Sequence, residues 1–269
     1  MKHFKIFKVL NMFAVISDIH SNIEALQVVL DDIEKRRIKK IYCLGDVIGY
    51  GPNPKECLDL IMEKTQLCVM GNHDYASLYE PTNFNYAAEQ ASFWTRDTLE
   101  KETDEEKRAK RWDFLGKLQM KQSLKMDLAG LEVNLEFVHA SPRKPINEYI
   151  FPDDVYTNPV KVQVLFEKVK HVCFVGHTHL PGVFLDEPDF YLPEELGDVY
   201  PIVNHERAII NIGSVGQPRD RDNRASYVYA DENNINFVRL EYDFEKTAKK
   251  IMEIEQLDNF NAERLKEGR

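Results

Sequence analysis

Four cysteines in 269 residues, Cys43, Cys57, Cys68 and Cys173, are few and scattered. None stands in a C-x-x-C spacing, which argues against a zinc knuckle. Three fall inside strand-like apolar runs, where a thiol reads as a small core residue in a reducing compartment. Basic residues are also scarce: 35 Lys and Arg against 45 Asp and Glu give a formal charge of −10. Surfaces that hold duplex nucleic acid are basic, because binding there releases counterions from phosphates, so no such partner is expected. Long apolar runs are missing as well. The opening "MKHFKIFKVLNMFAVISD" has no apolar core of signal-peptide length before Asp18, and no later stretch is long enough to span a bilayer. The expectation is a cytoplasmic protein with no membrane partner. Met12 could equally begin the first strand, which leaves open whether residues 1–11 belong to the cellular product.

What is present is the composition of an ordinary folded chain, 43% apolar and 30% charged. "MFAVISD" (12–18) is a short β-branched and aromatic run that stops at polar residues. "SNIEALQVVLDDIEKRR" (21–37) then sets Ile23, Leu26, Leu30 and Ile33 on one helical face, with Ser21 and Glu24 spaced as a capping box. The unit repeats with strand "KIYCLGD" (40–46), a helix from Asn53-Pro54 to about Lys64, and strand "LCVMGNHD" (67–74). Continuous apolar strands alternating with amphipathic helices predict a parallel sheet covered on both faces.

Residues 79–122 are aromatic-rich, then charge-dense, and read as an insertion of two helices capping the sheet. Phe84, Tyr86, Phe93 and Trp94 are spaced for core packing rather than for a lid that stacks a base, and the run around 100–111 reads as the solvated face. A hairpin joined at Ala129-Gly130 follows, then a helix near 158–169 and the strand "HVCFVGHTH". Further strands are expected at 183–186, 207–212, 226–230 and 234–242. A helix from about 243 and a charged, fraying tail close the chain. With no internal repeat, residues 1–269 are expected to form one domain.

Chemistry concentrates at strand ends. Asp18-x-His20, Gly45-Asp46, Gly71-Asn72-His73-Asp74, His139 and His177-x-His179 each follow a predicted strand, and the carboxyl ends of parallel strands line one edge of a sheet, where ligands bind. Five of the eight histidines fall in these segments, leaving His3, His171 and His205 outside. Singly, Asp18 or Asp46 could cap a helix and His139 could be a hydrogen-bonded structural residue. Jointly they read as a metal site. Nitrogen and oxygen donors without thiolate suit Mn²⁺, Fe or Zn²⁺, whereas Mg²⁺ or Ca²⁺ alone would want more carboxylates. The donors are too many for one ion. Two ions about 3.5–4 Å apart activate water and clamp the oxygens of a group undergoing in-line displacement. Two dications beside only two carboxylates, Asp18 and Asp46, leave positive charge that attracts an anion to an acidic protein.

The ordered series "SDIH", "GD", "GNHD", "HAS" and "GHTH", spread over roughly residues 12–242, resembles the calcineurin-like metallophosphoesterase superfamily, in particular its bacterial phosphodiesterase-like branch. The resemblance implies a four-layer α/β/β/α sandwich, a metallo-dependent phosphatase-like α/β fold, here with a helical insertion. It implies that Asp18, His20, Asp46 and His179 hold one metal, that Asn72, His139 and His177 hold the other, and that Asp46 bridges them. His177 and His179 would then leave the same strand end, one for each ion. His73 would contact the phosphate and act as general acid, with Asp74 either orienting it or serving the loop. The implied cofactor is a pair of divalent or mixed-valence transition metal ions, Mn²⁺ first, with Fe or Zn²⁺ as alternatives.

In the protein-phosphatase branch, and in the symmetrically cleaving dinucleoside tetraphosphatases, an arginine precedes the last glycine of the second motif; "GDVIGYGPNP" has Tyr50 there, and Gly49 where the protein phosphatases have an aspartate. Phosphate clamps are expected elsewhere, among Arg219, Arg221 and Arg224 of "GSVGQPRDRDNRASY", with local neutralisation by Asp220 and Asp222 as the alternative, and at Arg143, with a lone surface arginine as the alternative. The function expected is hydrolysis of a small phosphorylated or nucleotide substrate by metal-bound hydroxide. Phosphodiesters or nucleotide pyrophosphates, dinucleoside polyphosphates included, are preferred to phosphomonoesters or phosphoproteins. With the ligand set retained, a non-catalytic scaffold is disfavoured.

Overall fold

Along β1 (Phe13–Ile16) the side chains alternate between two environments, and that alternation defines the layers. Ala14 and Ile16 pack with α1 (Ile23–Lys35), through Leu26, Val29 and Ile33. Phe13 and Val15 face the other way, onto aromatic and branched residues that belong to a second sheet, Phe137 and Phe174 among them. The computed structural model describes residues 12–128, 130–203 and 206–269. Residues 1–11 with His3, Ala129 of the hairpin turn, and His205 lie outside the described residues.

After α1 the chain runs through β2 (Lys40–Cys43), α2 (Pro54–Lys64), β3 (Leu67–Cys68) and α3 (Asn72–Leu78) into the insertion, α4 (Tyr86–Glu100) and α5 (Glu105–Lys117). The hairpin β4 (Lys121–Leu128) and β5 (Leu131–Val138) follows, then α6 (Asp154–Thr157), α7 (Pro159–Phe166) and β6 (Val172–Val175). The remainder is β7 (Gly182–Leu185), β8 (Asp189–Tyr191), β9 (Val199–Pro201), β10 (Ala208–Asn211), β11 (Ala225–Ala230), β12 (Asn234–Leu240), α8 (Phe244–Met252) and α9 (Phe260–Glu267).

The strands form two six-stranded sheets, ordered β3-β2-β1-β11-β12-β9 and β4-β5-β6-β10-β7-β8. Pairing is parallel within β1, β2 and β3 and within β5, β6 and β10; the other pairs are antiparallel. In β6, Val172 and Phe174 face the first sheet, while Cys173 and Val175 pack with Leu165 and Phe166 near α7. The layers therefore run helix, sheet, sheet, helix. This α/β sandwich of two mixed sheets matches the expected four-layer architecture. The expected parallel sheet is mixed, with β11, β12 and β9 pairing antiparallel beside β1, β2 and β3; its two faces are covered as expected, one by helices and the other by the second sheet.

Three local expectations also change. The N-cap of α1 is Asn22, whose side chain accepts from Ala25 N at 3.1 Å, because Ser21 turns with φ 54°. Glu24 is thereby freed to receive Lys250 Nζ of α8 at 2.7 Å. In the insertion, Arg111 is not on a solvated face: it is 3% exposed and forks onto Asp59 at 2.9 and 2.8 Å. The tail read as fraying contains α9, which packs Ala262 and Leu265 beside Tyr50 and Ile251.

Candidate metal centre

Each candidate ligand segment leaves a strand and turns at once. Asp18 and His20 after β1, Asp46 after β2, and His177 and His179 after β6 have φ of 53°, 49°, 50°, 65° and 61°. Five of the seven candidate ligands thus occupy the left-handed region, a conformation that costs a residue with a Cβ about 1–3 kcal/mol and persists only where its surroundings hold it. Here the loops hold one another. Ile19 N and His20 N both donate to Asp46 O, at 2.9 and 3.0 Å, and Asp18 N donates to Gly45 O at 3.0 Å. Gly71 is forced, because a Cβ there would strike the Asp46 side chain and amide.

Two clusters result. In one, Asp18 Oδ1 lies 3.0 Å from His179 Nε2 and 3.8 Å from His20 Nε2, and the two Nε2 atoms are 3.2 Å apart. The other ring nitrogens face backbone carbonyls: His20 Nδ1 is 3.4 Å from Ile48 O, and His179 Nδ1 bonds Gln217 O. A neutral imidazole that donates through Nδ1 carries a bare lone pair on Nε2. In the second cluster His139 donates through Nδ1 to Leu44 O at 3.0 Å. Its Nε2 faces Asn72 Oδ1 at 3.0 Å, His177 Nδ1 at 3.1 Å and Asp46 Oδ2 at 3.4 Å. Asp46 addresses both sides: Oδ1 accepts the His73 amide at 2.8 Å, while Oδ2 is also 3.7 Å from His20 Nε2.

Lone pairs converging without protons between them repel, and Asp18 Oδ1 is buried with no hydrogen bond of its own. Cations resolve both difficulties, and the residues present fit them: these buried His/Asp clusters are consistent with a binuclear metal site. Burial, the largest influence, holds His20 and His177 well below the ordinary imidazole value, lowers His139, and takes His179 down to about 4. All are therefore neutral, electron-donating rings at pH 7. Burial and then the charges of Asp18 and Asp74 push Asp46 well above the usual carboxylate range, as befits anions crowded together in the absence of cations.

A cavity of about 580 Å³ opens over the clusters, with Asp46, Asn72, His73, His177 and His179 in its wall. His73 is packed by rings, 4.9 Å from His20, 4.4 Å from Tyr50 and 4.6 Å from Phe84 between centroids. It also stands within reach of His20 and Asp46 as a possible third grouping. A Cβ on Gly49, at φ 95°, would meet His73 Nδ1 at 2.5 Å, so this glycine makes room for the ring.

Asp74 makes no hydrogen bond to the His73 imidazole, whose Nδ1 is buried without a partner. Its carboxylate accepts the amides of Asp46 (2.8 Å), Val47 (3.0 Å) and Gly71 (3.1 Å), because successive residues on α3 point about 100° apart. The orienting role gives way to the loop role. Burial pushes Asp74 up to about 6 against the pull of those amides.

Of the four candidate arginines, only Arg219 lines the cavity. Arg143 pairs with Glu148, and Arg224 with Asp222, the local neutralisation weighed for the loop arginines. Arg221 is exposed and does not line the cavity; its amide donates to Gly268 O. Asp220 bonds Arg239 instead. Phe84 lines the cavity, whereas Tyr86 is 70% exposed. The sequence reading missed Tyr149, which stacks on His177 at 4.1 Å, Lys144 in the wall, and the carbonyls of Leu44, Ile48 and Gln217 that set the imidazole tautomers. Carbonyls carry no residue-type signal. His171, outside the motifs, serves structure by accepting Asn134 N at 2.9 Å.

Comparison with known proteins places this geometry. Residues 12–234 match the family model described as the calcineurin-like phosphoesterase superfamily domain. An uncharacterized protein of Methanocaldococcus jannaschii is 42% identical over 264 residues, 96% of this chain and 99% of that one. The crystal structure of a metallophosphoesterase from Sphaerobacter thermophilus is 32% identical, covers 97% of this chain and 100% of its own, and superposes with a TM-score of 0.78. A hypothetical protein from Pyrococcus horikoshii, 19% identical over 96% of this chain and 98% of its own, shares the fold with a TM-score of 0.69.

Proposed function

The chain belongs to the calcineurin-like phosphoesterase superfamily, and from that membership we propose that it hydrolyses phosphodiesters or nucleotide pyrophosphates, dinucleoside polyphosphates included, at two transition metal ions. The observation that carries the reading is Asp46 Oδ2, which lies 3.4 Å from His139 Nε2 and 3.7 Å from His20 Nε2 beneath the cavity. One carboxylate oxygen thus addresses both donor clusters. Asp18, His20, Asp46 and His179 would hold one ion; Asn72, His139, His177 and Asp46 would hold the other. When bound, Mn²⁺ or a similar ion supplies Lewis-acid polarisation of the phosphoryl group and acidifies water.

The protein's own groups do the rest. Arg219 reaches the cavity with a guanidinium suited to phosphoryl oxygens. Water loses a proton to solvent and adds to phosphorus opposite the leaving oxygen, one P–O bond forms as another breaks, and His73, neutral in the free site and protonated once the substrate's negative charge stands beside it, gives the leaving oxygen its proton. Tyr50 and Phe84 pack the His73 ring and shield it from bulk water. Among the described residues the cavity wall holds no serine or cysteine to serve as a nucleophile, and water is taken to attack in a single displacement.

Hydrolysis of bis(p-nitrophenyl) phosphate, diadenosine tetraphosphate and p-nitrophenyl phosphate by the Mn²⁺-supplied protein tests this reading. Activity on the first two above the third is expected. His73→Ala should lose roughly 10²- to 10⁴-fold in kcat while keeping both ions by elemental analysis. Loss of an ion in that variant would make His73 a ligand instead. An inactive wild type holding two ions tightly would overturn the proposal.

A further inference from the structure

The C-terminal helix sends a side chain toward this site that the reading above does not use. Arg264 Cζ lies 5.8 Å from the Tyr50 ring centroid, and Arg219 Cζ lies 5.8 Å from the same centroid. Tyr50 is itself 4.4 Å from the His73 ring and 4.9 Å from the His20 ring, and it lines the cavity with Arg219. Two guanidiniums are thus gathered on one ring beside the candidate general acid, in a chain of net charge −10.

Among the described residues Arg219 has no carboxylate partner, whereas Arg264 meets only the backbone carboxylate of the last residue, Arg269. Arg219 Nη2 donates to Gln217 Oε1 at 2.7 Å, and its Nε is buried with no acceptor. Arg264 Nε donates to the backbone carboxylate of Arg269 at 2.5 Å. Arg143, Arg224 and Arg239, by contrast, each hold an aspartate or glutamate. Burial and then the nearby charge of Arg219 bring Arg264 down to about 10. Of the two like charges on this ring, Arg219 is the one still lacking an anion, and its buried, unpartnered Nε leaves the place open for one beside the cavity. Their placement is not a fraying accident. α9 is fixed through Ala262 and Leu265, and its end is tied to the arginine-bearing loop by Arg221 N to Gly268 O at 2.8 Å and Asn223 Nδ2 to Lys266 O at 3.4 Å.

Resting on the phosphohydrolase reading, we propose that Arg219, Tyr50 and Arg264 form a subsite for a second phosphoryl group, next to the one attacked, so that the favoured substrate is a phosphoanhydride rather than a simple phosphodiester. Arg219 makes the contact. Arg264 is a positioning residue, which supplies charge from behind Tyr50 and holds that ring against the second group.

Calorimetric binding of methylenediphosphonate and of methylphosphonate to the Mn²⁺-loaded wild type, Arg219→Met, Arg264→Met and Arg264→Lys tests the subsite without turnover. The wild type should prefer the diphosphonate. Each Met variant should cut that preference roughly tenfold, as expected for one charge-assisted contact, and Arg264→Lys should restore most of it. In parallel, Arg264→Met should raise KM for diadenosine tetraphosphate more than it lowers kcat. A preference untouched by Arg264→Met overturns the proposal. So does an equal loss for both phosphonates in the Met and Lys variants alike, which would mark a merely structural arginine. Failure of the phosphohydrolase reading looks different: the wild type would turn over neither diadenosine tetraphosphate nor bis(p-nitrophenyl) phosphate, whatever its phosphonate preference.

Discussion

The floor of the cavity and its wall are built in different ways. Every donor on the floor leaves the end of a strand or opens the helix behind it, within a segment of at most four residues, and is locked there by loop-to-loop hydrogen bonds such as His20 N to Asp46 O. The wall is gathered from far apart: Tyr50 from the loop after β2, Phe84 from the turn into α4, Tyr149 after β5 and Arg219 after β10, with Arg264 of α9 behind Tyr50. The floor is rigid because sheet geometry dictates where its side chains go. The wall depends on how helices pack around Tyr50, in a satellite cluster with Ala88, Ile251 and Leu265. Chemistry common to a fold sits naturally on the first kind of support, and substrate choice on the second.

The sharpest way to break this division is Asp46→Asn. The substitution keeps the shape but removes the charge from the one oxygen that faces both clusters. Activity should fall further than for His73→Ala, beyond roughly 10³-fold, and elemental analysis should find fewer than two ions per chain. A variant that kept two ions and wild-type turnover would mean that the floor is not a shared metal platform.

The same division explains what the sequence disclosed. The floor was legible because His and Asp recur after apolar runs of strand length, and a parallel strand end has one place to put them. Asn53-Pro54 announced α2 just as plainly. The wall was not legible. Arg264 stands in "NAERLKEGR", where charge density suggests a solvated tail; Ala262, Leu265 and a terminating Gly268 at φ 61° were the faint marks of a packed, capped helix. Arg143, Arg219, Arg221 and Arg224 looked alike as residues, and only the folded positions of Glu148 and Asp222 separate them. The left-handed turns at Asp18, His20, Asp46, His177 and His179 had no signal either, since strain of this kind is imposed by the partners.

A middle-sized effect concerns the floor alone, stripped of metal by a chelator. Unfolded histidines titrate near 6.5; burial keeps His20, His73, His139, His177 and His179 below that in the fold, His179 at about 4. As pH falls below about 6.5 the unfolded chain binds protons that the folded one refuses, so stability should drop. Asp74, raised to about 6, acts in the opposite sense from about pH 6 downward, since the folded state takes up its proton first, and Asp46, which burial also raises, acts in the same sense as Asp74. The metal-free protein should therefore show a Tm that falls between pH 7 and 6 and goes on falling below, since five such imidazoles outnumber the two carboxylates. A Tm that rises over that first interval would contradict the buried neutral imidazoles on which the floor rests.

The smallest expected effects test the wall. Arg143→Ala and Arg224→Ala each remove one side of an ion pair that stands outside the cavity, with Glu148 and Asp222 respectively, and such pairs contribute about 0–1 kcal/mol to stability. Both variants should keep KM and kcat for diadenosine tetraphosphate within about twofold of wild type, whereas Arg219→Met should raise KM roughly tenfold. Steady-state kinetics on the three side by side is the measurement. The contrast matters because all three arginines would draw an anion toward the cavity by long-range attraction. If Arg224→Ala raised KM as much as Arg219→Met, the gain would come from diffuse positive charge near the mouth, and it should then fade with added salt. A loss confined to Arg219 and insensitive to salt is what direct contact with a phosphoryl oxygen requires.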